Sequence, residues 1–155
     1  HLASSLTFLP YGAEVDEFQE TCYENPDMTP SERNSLWLDL DGKYRPYLHS
    51  EGLPYFENGT RWQYQMHIYE NPMYYIDYCL SQTVAHRFLL LSLDDYGDAF
   101  GRYMKLLRTA GEKPFGELVE AAGIADPLQG GALTENTARA IELARKLFFG
   151  GSAPR

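Results

Sequence analysis

The sequence predicts an all-α fold, and three observations carry that reading. Apolar residues recur at helical spacing, most clearly in Met73, Ile76, Leu80, Val84, Phe88 and Leu91, a stripe sustained for about twenty residues. Helix-start signals precede the periodic windows: Thr29 can cap, Pro30 fits a first helical position, and Glu32 completes a capping box. No window alternates apolar and polar residues with the period of two that a half-buried strand requires.

Taken in order, Leu2, Leu6, Leu9, Ala13, Phe18 and Cys22 predict a helix over residues 2–24 with a turn or kink at Pro10. Its run Asp16-Glu17-Phe18-Gln19-Glu20 reads as an exposed acidic face. The helix begun at Thr29 buries Leu36, Trp37, Leu40 and Tyr44, and Pro46 stops it. Residues 47–60 read as a loop with a turn at Asn58-Gly59. Residues 61–69 are aromatic-rich and open to either helix or extended chain. Pro72 is expected to start the principal helix. A further helix over about 96–109, with Phe100, Met104 and Leu107 inward, ends at Gly111 in the C′ role. Pro114 opens a short helix closed by Gly123, and Thr134 is expected to cap the last one. Residues 1–155 form a single helical (sub)domain in this reading, and 150–155 a flexible tail.

Composition bounds the function classes. With 155 residues and 44% hydrophobic content the chain can build a real core despite its net charge of −9. A surface that tracks phosphates needs clustered Lys and Arg, whereas the 13 here are scattered, so neither nucleic acid nor membrane is expected as a partner. Cys22 and Cys79 show no framework of paired spacings and are expected as free thiols in a reducing cytoplasm. No apolar run reaches the length of a membrane span, and no basic flank with a cleavage site marks a secretory signal. The opening His1-Leu-Ala-Ser reads as the middle of a longer protein.

The chemistry concentrates in His67-Ile-Tyr-Glu-Asn-Pro-Met-Tyr-Tyr-Ile-Asp-Tyr78, where a histidine and several tyrosines precede a rigid helix. No pair of histidines has the spacing of a zinc-binding helix, and neither a nucleophile elbow nor a phosphate-binding glycine loop is present. Tyrosines at helical spacing are ordinarily half-buried aromatics, and an isolated histidine is ordinarily structural. Asp77 suits a partner for a tyrosine hydroxyl or a basic group better than a catalytic acid, and His86 reads as a helix-surface residue.

At Asp16-Glu-Phe-Gln with Tyr23-Glu-Asn-Pro-Asp-Met-Thr-Pro-Ser-Glu-Arg33, and again at His67-Ile-Tyr-x-x-Pro-x-Tyr-Tyr-Ile-Asp-Tyr-Cys-Leu-Ser-Gln82, the chain resembles oligoendopeptidase F. The likeness runs from about Leu6 to Leu147. It implies the helical C-terminal part of the catalytic domain of a cytoplasmic, thimet-oligopeptidase-like zinc peptidase that hydrolyses short peptides. It also implies that the HExxH zinc site lies in a missing N-terminal part, so that this chain alone holds no metal and is inactive. Glu14, Glu17, Glu20 and His1 are accordingly not expected as zinc ligands. By position, His67 matches the relatives' histidine that meets the oxyanion, Tyr78 best matches their tyrosine, Tyr75 is second, and Tyr74 can reach the same cleft to bind substrate. The interval from histidine to last tyrosine is one residue shorter than in thimet oligopeptidase, which leaves the tyrosine roles open. The alternative function is a non-catalytic helical module that binds a peptide or partner, or self-associates, through the same groove.

Overall fold

Helices make up every regular element of the computed structural model among the residues it describes, 1–129 and 131–150. They are α1 (Leu2–Glu24), α2 (Pro30–Tyr44), α3 (Pro54–Glu57), a 3₁₀ turn (Arg61–Tyr64), α4 (His67–Glu70), α5 (Ile76–Asp94), α6 (Tyr96–Thr109), α7 (Phe115–Ala121) and α8 (Ala132–Phe149). The expected all-α class is therefore observed. No described helix is long and apolar enough to cross a membrane. Apart from Gly150, the tail expected at 150–155 lies outside the described residues.

The chain divides into two compact units, one of Thr7–Cys79 and one of His1–Leu6 with the chain from Leu80 onward. In the first, the capping box forms: Thr29 Oγ1 accepts from the Glu32 amide at 3.3 Å, and the Glu32 carboxylate accepts from the Thr29 amide at 2.7 Å. That fixes where α2 starts, and so which face carries Trp37 and Leu40 inward. The core joins Val15 and Phe18 of α1, Trp37 and Leu40 of α2, Trp62 and Tyr75. Phe18 meets Trp37 edge-on and Trp62 at a tilt, both with ring centroids 5.2 Å apart. Trp62 Nε1 donates to Asn34 Oδ1 at 2.9 Å, so the 3₁₀ turn is tied to α2. A Cβ at Gly12 would lie 2.0 Å from Cys79 Sγ, so any side chain there would force the buried Cys79 thiol to move.

Several boundaries differ from the sequence reading. α1 runs through Pro10 without a break, absorbing the one missing amide hydrogen. The stretch 47–60 contains the single turn α3, begun by Pro54. Pro72 does not start the principal helix. Met73 adopts φ 63°, a left-handed conformation, so the chain reverses there and α5 starts only at Ile76.

In the second unit, Asp95 caps α6 by accepting from the Asp98 amide at 3.0 Å. Gly131 precedes α8, so Thr134 lies inside that helix and does not cap it. Phe100 and Leu107 are exposed rather than inward, and Phe100 stacks on Tyr96 with centroids 6.1 Å apart. The Asn136 side chain crosses from α8 to donate to the Thr83 carbonyl of α5 at 2.8 Å.

His86 is not on the surface. It is 2% exposed, with Nε2 2.7 Å from Ser5 Oγ. The Ser5 hydroxyl gives its own hydrogen to the Leu2 carbonyl at 2.9 Å, so His86 Nε2 must carry the shared hydrogen. Nδ1 is then bare, buried and without a partner. Burial holds the His86 pKa below the ordinary imidazole value, because protonation would strand a charge at that nitrogen. As pH falls through about 6.5 the unfolded chain binds a proton that the folded chain refuses, so stability drops toward the lower folded pKa. We expect wild type to lose stability relative to His86→Gln between about pH 7 and pH 5, by at most about 1.4 kcal/mol per pH unit, in denaturant titrations. An unchanged difference between the two would show that His86 is protonated as readily folded as unfolded.

Candidate active site

Within the Thr7–Cys79 unit, the turn between α4 and α5 folds His67, Tyr74, Tyr75 and Tyr78 onto one another. Gln19 is the anchor. Its side chain, buried on α1, accepts from the Met73 amide at 2.9 Å and donates to the Val15 carbonyl at 3.3 Å. A non-glycine residue at positive φ costs of order 1 kcal/mol or more, and this fixed acceptor helps hold it there. Bonds from the Asp77 amide to the Tyr74 carbonyl (3.0 Å) and from the Tyr78 amide to the Tyr75 carbonyl (3.2 Å) then wind the chain into α5.

The four rings meet at steep angles. His67 packs edge-on against Tyr75 (centroids 5.0 Å apart) and Tyr78 (5.6 Å), and Tyr78 also meets Tyr74 (5.3 Å) and Tyr75 (5.5 Å). His67 Nε2 lies 3.4 Å from the Tyr78 hydroxyl. This is at the loose end of hydrogen-bond geometry. Exposure separates the tyrosines: Tyr75 is 8% exposed, Tyr78 39% and Tyr74 46%. Burial foremost, with the neighbouring Tyr11 and Cys79, pushes the Tyr75 pKa up to about 12, so its phenol stays protonated. Tyr75 also packs on Phe8 and Tyr11, both at 5.8 Å, and is a core residue whose edge braces the histidine.

Two residues behind His67 escaped the sequence reading. The Tyr11 hydroxyl donates to Gln65 Oε1 at 2.7 Å, and Gln65 Nε2 lies 2.7 Å from His67 Nδ1. Tyr11 is in turn flanked by guanidinium groups, that of Arg45 at 4.7 Å from its ring centroid and that of Arg61 at 5.7 Å. Gln65 sits two positions before the histidine in a polar, aromatic stretch with no periodicity, so only the fold exposes its role. Gln19 was hidden differently, inside the acidic run read as a solvated face.

The acidic residues of α1 are committed elsewhere. Glu14 is fully buried and takes Arg45 in a two-pronged ion pair, with Oε2 2.6 Å from Nε and Oε1 3.1 Å from Nη2. Burial pushes its pKa up to about 7 against the pull of Arg45. Glu17 binds Lys43 and the Tyr44 hydroxyl, the Lys43 bond foremost in holding its carboxyl below the usual range. Asp16 is raised by burial and then by the facing Glu20 and Asp77. Among the described residues no group of three or more His, Cys, Asp or Glu side chains is placed to hold a metal ion. Cys22 and Cys79 are free thiols.

The turn thus presents a half-buried histidine beside two exposed tyrosines, Tyr74 and Tyr78. No model of a known family matches the chain, and no curated protein matches it. Solved structures do. An X-ray structure of an oligoendopeptidase F matches at 43% identity and a TM-score of 0.88, over 92% of this chain and 25% of its own. Pz peptidase A, solved with an inhibitor, matches at 43% identity and 0.86, over 90% and 25%. An oligoendopeptidase F from Bacillus anthracis str. Ames matches at 33% identity and 0.75, over 97% and 23%. The structures it resembles are peptidases by name. The chain is similar to part of these oligoendopeptidase F structures and spans about a quarter of the length of those relatives.

Proposed function

We propose that these 155 residues are the C-terminal part of a zinc-dependent oligopeptidase and supply the side of its active site that meets the scissile carbonyl oxygen. The single observation that carries this is the juxtaposition of His67 Nε2 and the Tyr78 hydroxyl, 3.4 Å apart on a braced surface, in a chain 43% identical to peptidases. As the carbonyl carbon is attacked, negative charge develops on its oxygen, and prepositioned N–H and O–H donors stabilise that charge more than they stabilise the ground state. His67 and Tyr78 are the donors in this reading. Tyr75, expected as a second donor from its sequence position, is assigned to bracing because its ring is covered. Tyr74, exposed and packed on Tyr78, is assigned to the backbone or side chain of a short peptide substrate. Zinc belongs to the whole enzyme, with its ligands in the part that these residues do not include.

The direct test is metal content and turnover. The purified 155-residue chain is expected to bind no stoichiometric zinc by equilibrium dialysis and to hydrolyse no short peptide. Tight binding of one zinc per chain would overturn this division of the site.

A further inference from the structure

We propose that Gln65 is a positioning residue that holds His67 in the tautomer whose hydrogen sits on Nε2, making the histidine a hydrogen-bond donor to the substrate oxygen and not a base. Its catalytic consequence rests on the reading of His67 given above; the tautomer itself does not. Tyr11 sets the amide. Its ring is pinned edge-on against Trp37 (6.4 Å) and Tyr75 (5.8 Å), and guanidinium groups flank it, so the hydroxyl has one place to point. Burial foremost raises its pKa, keeping the hydroxyl hydrogen in place to donate. That hydrogen goes to Gln65 Oε1 at 2.7 Å, which turns the amide's NH₂ end toward His67 Nδ1, also at 2.7 Å.

An NH₂ group has hydrogens and no acceptor, so Nδ1 must offer its lone pair. The single hydrogen of a neutral imidazole then resides on Nε2, the nitrogen facing Tyr78. Reversing the amide would cost Tyr11 its acceptor and place the hydrogen on Nδ1, leaving Nε2 unable to donate. The logic inverts that of a carboxylate behind a histidine, which accepts from Nδ1–H and leaves Nε2 as a base. Gln65 is 9% exposed, so water does not compete freely for the amide.

The test is the ring tautomer of His67, read by long-range ¹H–¹⁵N correlation on ¹⁵N-histidine-labelled chain at about pH 8, above the ordinary imidazole range. The wild type is expected to show Nε2 protonated and Nδ1 bare. Gln65→Glu, isosteric but able only to accept, is expected to move the hydrogen to Nδ1. Tyr11→Phe releases the amide and is expected to give a mixture. Wild-type chain with hydrogen on Nδ1 overturns the proposal without any variant, and so does a Gln65→Glu chain, folded by circular dichroism, whose tautomer is unchanged. In a zinc-loaded peptidase containing these residues, Gln65→Glu is expected to lower kcat by about 10–100-fold with little change in KM. A swapped tautomer with kcat held in Gln65→Glu, while His67→Ala is impaired, overturns the positioning role. A swapped tautomer with kcat held in both variants overturns the donor reading of His67 and leaves the hydrogen-bond relay standing.

Discussion

Replacing Tyr78 with phenylalanine in a zinc-loaded peptidase that contains these residues lowers kcat by on the order of 10²–10³, the usual cost of removing one oxyanion donor. The ring stays. It keeps its edge contacts to His67, Tyr74 and Tyr75, so thermal stability moves little. If the hydroxyl acts only as charge appears on the substrate oxygen, KM should change far less than kcat. Tyr75→Phe provides the contrast: its ring is core, and if its role is to brace, the rate falls much less. An unchanged kcat in Tyr78→Phe would return Tyr78 to the structural aromatics.

Arg45→Met is expected to cost about 3–5 kcal/mol of stability in the Thr7–Cys79 unit, because it leaves Glu14 buried with no counter-charge. The side chains of Glu14 and Arg45 are 0% and 12% exposed, so solvent does little to screen the pair. The loss carries a pH signature. Glu14 already has a folded pKa raised above its unfolded value, to about 7, so the folded state binds more protons than the unfolded one between those values. Stability contributed by Glu14 is therefore present below the unfolded carboxylate pKa and is lost as pH rises through the folded one. Removing Arg45 raises the folded pKa further, so the variant should be weakest near pH 8 and recover toward pH 5 in denaturant titrations. Glu14→Leu added to Arg45→Met should restore most of the loss. A pH-independent loss would place the effect in the packing of Arg45 on Tyr11 instead.

Where local chemistry and fold agreed, the sequence was readable. Thr29, Pro30 and Glu32 specify a capping box by themselves, and the box forms. The stretch from Ile76 to Leu91 is helical, as its spacing suggests, although its buried face carries Cys79, Thr83, His86 and Leu90. The clustering of His67 with Tyr78 was visible as a motif, since both lie within one short segment. What was hidden depends on residues far apart in the chain. Met73 takes a left-handed turn that its identity disfavours, held by an acceptor on Gln19 of α1. His86 has a surface-like neighbourhood in sequence, yet it is buried against Ser5. Gln65 acquires meaning only because Tyr11 arrives from α1 to orient its amide. Polar side chains recruited across the core leave no period to read.

The claim that His67 and Tyr78 meet the transition state is tested most directly by the affinity of a phosphinic peptide, whose tetrahedral oxygen occupies the place of the oxyanion. Its inhibition constant should be measured for wild type, Tyr78→Phe and His67→Ala, beside that of a product peptide. If both groups meet the transition state, the phosphinic peptide weakens in proportion to the fall in kcat/KM, while the product peptide binds almost unchanged. Equal weakening of both ligands, or of neither, would contradict it.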